Sequence, residues 1–292
     1  SMALRRNIAE ELLPMAYKTI LVHCDAGPKI SHRLAVAADL AERQGAHLVG
    51  LHIRTPFQSP TFFEGGMPTT TLLAAYEAGV KADEEAASAA FAKAVKGRHL
   101  SQAWRVVEGF DDDELAVHAR YADLVVVGQY DPEQQVATPS DLPETVALAT
   151  GRPTLVVPHI GVQRPLGKTI LLCWNASRES ARAASDSLPL LSAAEKVVVL
   201  AIDPKSSPTG HGAEPGADAA AWLARHGVKV TVQRDVAADT DVGSVILSRA
   251  ADHDADLIVM GIYGHSRMRE MVLGGASRTL MASMTVPVLM AH

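Results

Sequence analysis

The chain repeats itself. Lys18-Thr19-Ile20-Leu21-Val22 returns as Lys168-Thr169-Ile170-Leu171-Leu172, Ala122-Asp123-Leu124 returns as Ala255-Asp256-Leu257, and Arg152-Pro153-Thr154-Leu155-Val156 returns as Val286-Pro287-Val288-Leu289-Met290. Whatever one copy folds into, the other must fold into as well. We read two tandem domains, residues 16–160 and 167–292, joined near Ile160 to Gly167. At 292 residues each copy is long enough to bury a core of its own.

Within each copy, short β-branched runs alternate with Ala-rich stretches whose apolar residues recur at helical spacing. That alternation predicts a parallel sheet with crossover helices. In the second copy we place strands near Thr169 to Cys173, Lys196 to Ile202, Lys229 to Arg234, Leu257 to Gly261 and Val286 to Met290. Ser177 and Asp241 are positioned as helix N-caps. The first copy inserts Thr55 to about Thr71, rich in Pro, Gly, Phe and Thr, which reads as a lid, a dimer arm or a tolerated surface loop. An Ala-rich helix from about Leu72 to Val95 follows. Asp111-Asp112-Asp113-Glu114 reads as the opening of a helix, where carboxylates favour the positive end of the dipole, and not as a metal site.

A formal net charge of −6 and the lack of a basic stripe speak against binding to nucleic acid or to an anionic membrane. No run approaches the length of a membrane span, and the N-terminus shows neither a signal-type apolar region nor a cleavage site. Cys24 and Cys173 have no metal-binding or redox spacing and read as free thiols. The expected location is the cytoplasm.

The chemistry concentrates at the end of one strand. Leu257-Ile258-Val259-Met260 leads into Gly261-Ile262-Tyr263-Gly264, and Gly274-Gly275-Ala276-Ser277 follows nine residues later. Glycines at a strand end let a phosphate approach main-chain N–H groups with no Cβ in the way, and Ser277 adds a hydroxyl. A helix beginning near Leu273 would add its N-terminal dipole.

The spacing Gly261-x-x-Gly264-x₉-Gly274 resembles the ATP-binding signature of the universal stress protein family, and the order of strands and helices is similar to that family from about Ala16 to His292. The resemblance implies two tandem open five-stranded parallel-sheet α/β domains, Rossmann-like and akin to the adenine nucleotide alpha hydrolase fold, related by a pseudo-two-fold axis. It implies ATP or ADP as cofactor, with or without Mg²⁺. It implies pairing of the two last strands, Thr154 to Val157 with Val286 to Met290, and allows a homodimer of such chains. Around the glycines we place Arg267 by the phosphates, His265 as a loop donor, Gly275 and Ser277 as phosphate donors, and Met260 and Ala276 among the residues of the nucleotide site. Asn175 stands where the family has an acidic residue toward the adenosine, and Ala201 and Ile202 stand at the adenine. Gly275 replaces the family's closing Ser or Thr, which removes one hydroxyl.

The first copy lacks the glycines. Gly264 aligns with Asp131, and Gly274 with Asp141 or its neighbour Ser140, while Pro132, Pro139 and Pro143 stiffen the segment. Carboxylates at a phosphate seat repel the anion, so the first copy is expected not to bind ATP in the family's manner. Other motif echoes fail on context: Gly167-Lys168-Thr169 precedes a strand where a phosphate loop follows one, and Gly264-His265-Ser266-Arg267-Met268 lacks the closing glycine of a nucleophile elbow. No residue is placed as a general base or nucleophile. The expectation is a binding module with at most slow ATP hydrolysis; the alternatives are a nucleotide hydrolase or transferase with His265 or a carboxylate after the first strand as its base, and a nucleotide-free interaction protein in which both sites are vestigial.

Overall fold

The computed structural model describes residues 16–57, 70–133, 140–204, 212–262 and 275–292. The first copy runs β1 (Thr19–His23), α1 (Ile30–Gln44), β2 (His47–Arg54), α2 (Thr70–Val95), β3 (Ser101–Glu108), α3 (Asp111–Ala119), β4 (Leu124–Gly128), α4 (Leu142–Thr150) and β5 (Thr154–Val157). The second runs β6 (Thr169–Cys173), α5 (Arg178–Asp186), α6 (Leu188–Leu191), β7 (Lys196–Ile202), α7 (Ala217–Arg225), β8 (Val230–Asp235), α8 (Val242–Asp252), β9 (Leu257–Gly261), α9 (Gly275–Ser283) and β10 (Val288–Ala291).

Among the described residues ten strands form one sheet in the order β3-β2-β1-β4-β5-β10-β9-β6-β7-β8. Within each copy the pairings are parallel, and β5 meets β10 antiparallel with Val156 opposite Val288, Leu155 opposite Leu289 and Thr154 opposite Met290. Leu155 and Leu289 are counterparts in the repeat, so each residue at the axis faces its own equivalent. The pseudo-two-fold passes between them, as the resemblance implied.

Alternation along the strands sends side chains to two cores. Ile20 and Val22 join Leu172 and Leu289 on one face, while Leu21 joins Leu171, Met260 and Met290 on the other. Both cores cross the β5–β10 seam. Covered on both faces, the central strands read as continuous apolar runs, as parallel strands do; the edge strands β3 and β8 are more exposed.

The repeated aspartate has a structural task. Asp123, just before β4, accepts from the N–H groups of Lys18 and Thr19 at 2.7 and 2.9 Å, and Asp256, just before β9, accepts from Gly167, Lys168 and Thr169 at 2.7, 3.0 and 3.1 Å. Each carboxylate ties the start of the first strand of its copy to the start of the neighbouring fourth.

Ser177 caps α5, its Oγ accepting from Ser180 N at 3.1 Å, and Asp241 caps α8 through the N–H groups of Gly243 and Ser244. The acidic run opens α3. Some expected boundaries shift: α2 begins at Thr70, inside the stretch read as loop; β8 runs Val230–Asp235, one residue later than expected at both ends; and β10 begins after Pro287, which has no N–H to give a ladder, and ends at Ala291. Most of the Thr55 to Thr71 insertion, from 58 to 69, lies outside the described residues.

Asp256 is 3% exposed, so removing its carboxylate strands several backbone donors away from water. We expect Asp256→Ala to lower the unfolding free energy by about 1.5–3 kcal/mol in urea denaturation, and more than Asp123→Ala does.

Candidate functional site

In an open parallel sheet, ligands sit beyond the carboxyl ends of the strands where the strand order reverses. Here the reversals fall between β1 and β4 and between β6 and β9. Because the copies run antiparallel across the seam, their crevices open on opposite edges of the sheet.

At the second crevice the fold gathers Asn175 after β6, Ala201 and Ile202 at the end of β7, and Met260 and Gly261 at the end of β9. Asn175 is exposed, and its Oδ1 accepts from Ser177 N at 3.2 Å, which shapes the turn into α5. Ala201 is fully buried, so only its backbone faces a ligand. Gly261 is constrained by packing: a Cβ there would fall 2.4 Å from the Glu179 carbonyl carbon and 2.6 Å from Ser180 N. Its missing side chain lets β9 approach the first turn of α5, a reason the glycine pattern alone did not give.

Gly275 begins α9 and faces open space, a Cβ there meeting nothing within 4 Å; Ala276 is half-buried, and Ser277 is tucked into the first turn at 5% exposure. Gly264, His265, Arg267 and Gly274 lie outside the described residues. The stretches between β4 and α4, 129–141, and between β9 and α9, 262–274, are equal in length, which fits replacement of the glycines in the first copy and not their deletion.

The first crevice holds what the sequence reading missed. Arg33, on the buried face of α1 between Ile30 and Leu34, is 7% exposed and pairs with Asp25 at 2.5 Å, with Nη1 pressed to within 2.5 Å of where a Gly128 Cβ would stand. A lone cation on an otherwise apolar helical stripe was the available signal. Burial alone would raise the Asp25 carboxyl, but the Arg33 guanidinium, His23 and the Gly27 N–H outweigh it and hold it at about 2.

Beside this pair, a cleft of about 430 Å³ opens between α2 and the ends of β1 and β2, lined by His23, Asp25, His52, Arg54, Tyr76 and Asp111 among others. His52 Nδ1 lies 2.8 Å from the Cys24 carbonyl, its ring stacked on Trp104. Tyr76 donates its hydroxyl to the Thr55 carbonyl, and Arg54 pairs with Glu84 across the wall. Gln129 ties this crevice to the other copy, donating to the Met281 carbonyl at the end of α9 at 2.7 Å and accepting from His159 N at 3.0 Å. Among the described residues no group of three or more His, Cys, Asp or Glu is arranged to hold a metal ion.

Fold and crevices define a doubled α/β protein with a switch-point crevice in each half. The family model of the universal stress proteins matches residues 16–131 and 167–292. The chain belongs to the universal stress protein family. Its fold is similar to that of a universal stress protein from Archaeoglobus fulgidus, with a TM-score of 0.69 and 14% identity over 94% of this chain and 97% of that one. It is also similar to a functionally unknown protein from Pseudomonas aeruginosa, with a TM-score of 0.54 and 15% identity over 94% and 92%. A universal stress protein in complex with cAMP matches 49% of this chain and 98% of its own at 21% identity, with a TM-score of 0.31. A search of curated proteins finds no match.

The Asp25 pair sets an acid limit on the first copy. A carboxyl lowered from 3.8 to about 2 contributes stability that is present above pH about 4 and lost as pH falls through about 2, worth about 2 kcal/mol. Asp25→Asn removes that contribution and leaves Arg33 buried without its counter-charge. Its stability deficit, followed by denaturant unfolding, is expected to be largest near neutrality and to shrink between pH 4 and pH 2.

Proposed function

We propose that this protein is a nucleotide-binding stress-response protein that holds one adenine nucleotide, ATP or ADP, in its second domain, residues 167–292, while the first domain, residues 16–160, is structural or regulatory. The observation that carries the reading is the glycine series Gly261, Gly264, Gly274 beginning where β9 ends at a strand-order reversal, in a chain of this family. In this reading the backbone N–H groups of that loop and of α9, with His265, Arg267, Gly275, Ala276 and Ser277, take the phosphates. Asn175 contacts the adenosine through hydrogen bonds without charge, and Met260 and the backbone at Ala201 and Ile202 border the adenine. No base or nucleophile is assigned, so retention and not turnover is the expected activity.

The asymmetry draws support from the first crevice, where the Arg33 side chain lies against Gly128 and Asp131 replaces the second glycine. Placement in the cytoplasm draws support from two free thiols: burial pushes both Cys24 and Cys173 up to about 12, keeping them protonated and unreactive. No helix among the described residues is long and apolar enough to cross a membrane.

A thermal-shift titration tests the reading. ATP or ADP at 100 times Kd should stabilise the fold by about 2.7 kcal/mol, and Gly264→Asp, which copies Asp131 of the first domain, should abolish the shift while leaving the unliganded melting temperature in place. No shift with either nucleotide, or an unchanged shift in Gly264→Asp, would sink it. Because Gly275 faces open space, Gly275→Ser should be accommodated and return a hydroxyl to the phosphate site. One such hydrogen bond is worth about 0.5–1.5 kcal/mol, an affinity gain of about twofold to tenfold by calorimetry.

A further inference from the structure

The seam between the copies holds a cavity of its own. About 330 Å³ lies between the segment after β4, the first turn of α4 and the later turns of α9, lined by Gln129, Tyr130, Glu144, His159, Arg278 and Met281 among others. That volume is at the lower end of the range of ~300–1,000 Å³ that small-molecule pockets occupy. The cavity shares Gln129, Tyr130 and His159 with the first crevice, but no residue of β1 or α1 lines it, and it is closed instead by α9 of the other copy. Hydrogen bonds fix the shared wall. The Gln129 side chain donates to the Met281 carbonyl and accepts from His159 N–H, and the His159 carbonyl lies 3.1 Å from His32 Nδ1.

Each copy contributes one charge to this cavity, and the two are not paired. Glu144, in the first turn of α4 beside Leu142, Pro143 and Val146, is 7% exposed, and its Oε2 has no hydrogen-bond partner. A carboxylate oxygen buried in that way costs its full desolvation, which native folds seldom leave uncompensated. Burial pushes the Glu144 carboxyl above the usual carboxylate range, opposed by its own backbone N–H and reinforced by Asp141. His159 Nδ1 is a second buried atom without a partner. From the other copy comes Arg278, which is exposed and has no carboxylate partner among the described residues. Its spacing from Met281 and Ala282 puts all three on one face of α9, the face that lines the cavity. Tyr130, Pro143 and Met281 make the rest of the wall largely apolar.

We propose that the seam cavity binds a small zwitterion of the amino-acid class, its ammonium group donating to Glu144 Oε2 and its carboxylate accepting from Arg278 and from His159 Nδ1–H. The lining chooses between charge types. An amine alone would bring its charge beside Arg278, and an anion alone would bring its charge beside the buried Glu144; a molecule carrying both signs answers both, and charge-assisted hydrogen bonds are the strong ones. An apolar side chain then packs on Tyr130, Pro143 and Met281. Since Glu144 stands on α4 and Arg278 on α9, the bound molecule bridges the two copies. The site shares no residue with the proposed nucleotide site and does not rest on that reading.

Calorimetric titration of L-leucine, L-methionine and L-phenylalanine into the full chain tests this, using wild type, Glu144→Gln, Arg278→Gln and Gly264→Asp. Glu144→Gln keeps the side chain's shape and removes a buried, unpaired charge, so it should fold with an undiminished melting temperature. The expected result is saturable binding of one molecule per chain for at least one of the three probes, at least about tenfold weaker in Glu144→Gln and weaker also in Arg278→Gln. Gly264→Asp, which disables the proposed nucleotide site, should bind the amino acid as wild type does. On wild type alone, isoamylamine and 4-methylvalerate, which are leucine without its carboxylate and without its ammonium group, should each bind at least about tenfold more weakly than leucine or whichever probe binds best. Absence of saturable binding of all three amino acids at millimolar concentration, equal affinity in Glu144→Gln, or equal affinity of either single-charge analogue would overturn the proposal. Loss of binding in Gly264→Asp would overturn it as well, by moving the amino acid to the second domain.

Discussion

The antiparallel pairing of β5 with β10 is the constraint on which the rest of the molecule depends. Taken alone, each half would end its sheet in a short, fully buried-looking strand with an unpaired edge, an invitation to wrong partners. Pairing Leu155 with Leu289 removes both edges at once and makes two continuous cores out of four half-cores. It also sets direction. Since the two halves run opposite ways through one sheet, their crevices face apart, and each can lose or keep its ligand chemistry without disturbing the other.

That independence explains how one repeat carries two unlike crevices. The positions that hold the fold recur in both halves: the aspartate before the fourth strand, the glycine that ends it, the apolar strand pairs. The positions around the crevice diverge. Gly261 lies against the backbone of α5, while Gly128 lies against a buried guanidinium. One bare Cα admits a helix and the other admits an arginine, so the same glycine serves two local arrangements.

Much of this was legible in the sequence. Thr169–Cys173, Lys196–Ile202 and Leu257–Gly261 are the strands read from β-branched runs, because strands buried on both faces have no polar alternation to blur their ends. The caps at Ser177 and Asp241 were legible because side-chain capping is local. What escaped was long-range. The recurrence of Asp123 and Asp256 was visible, but its purpose depends on N–H groups about a hundred or fewer residues away, at Lys18 and Gly167. Arg33 was passed over because pattern reading registers it as one polar residue on an apolar stripe, and only the fold brings Asp25 and Gly128 to it. Of the candidate nucleotide residues, Asn175, Ala201, Ile202, Met260 and Gly261 are gathered by strand order, which a repeat of known topology makes predictable. The closer reason for Gly261, contact with Glu179 and Ser180, needed coordinates.

The central claim is functional asymmetry: one nucleotide site in a molecule built from two copies of the same fold. Calorimetric stoichiometry of ATP binding to the intact chain tests it most directly. The account predicts one nucleotide per chain at saturation. Two equivalent sites would contradict the silence assigned to the first domain, and no binding at millimolar nucleotide would contradict the role assigned to the glycine loop after β9.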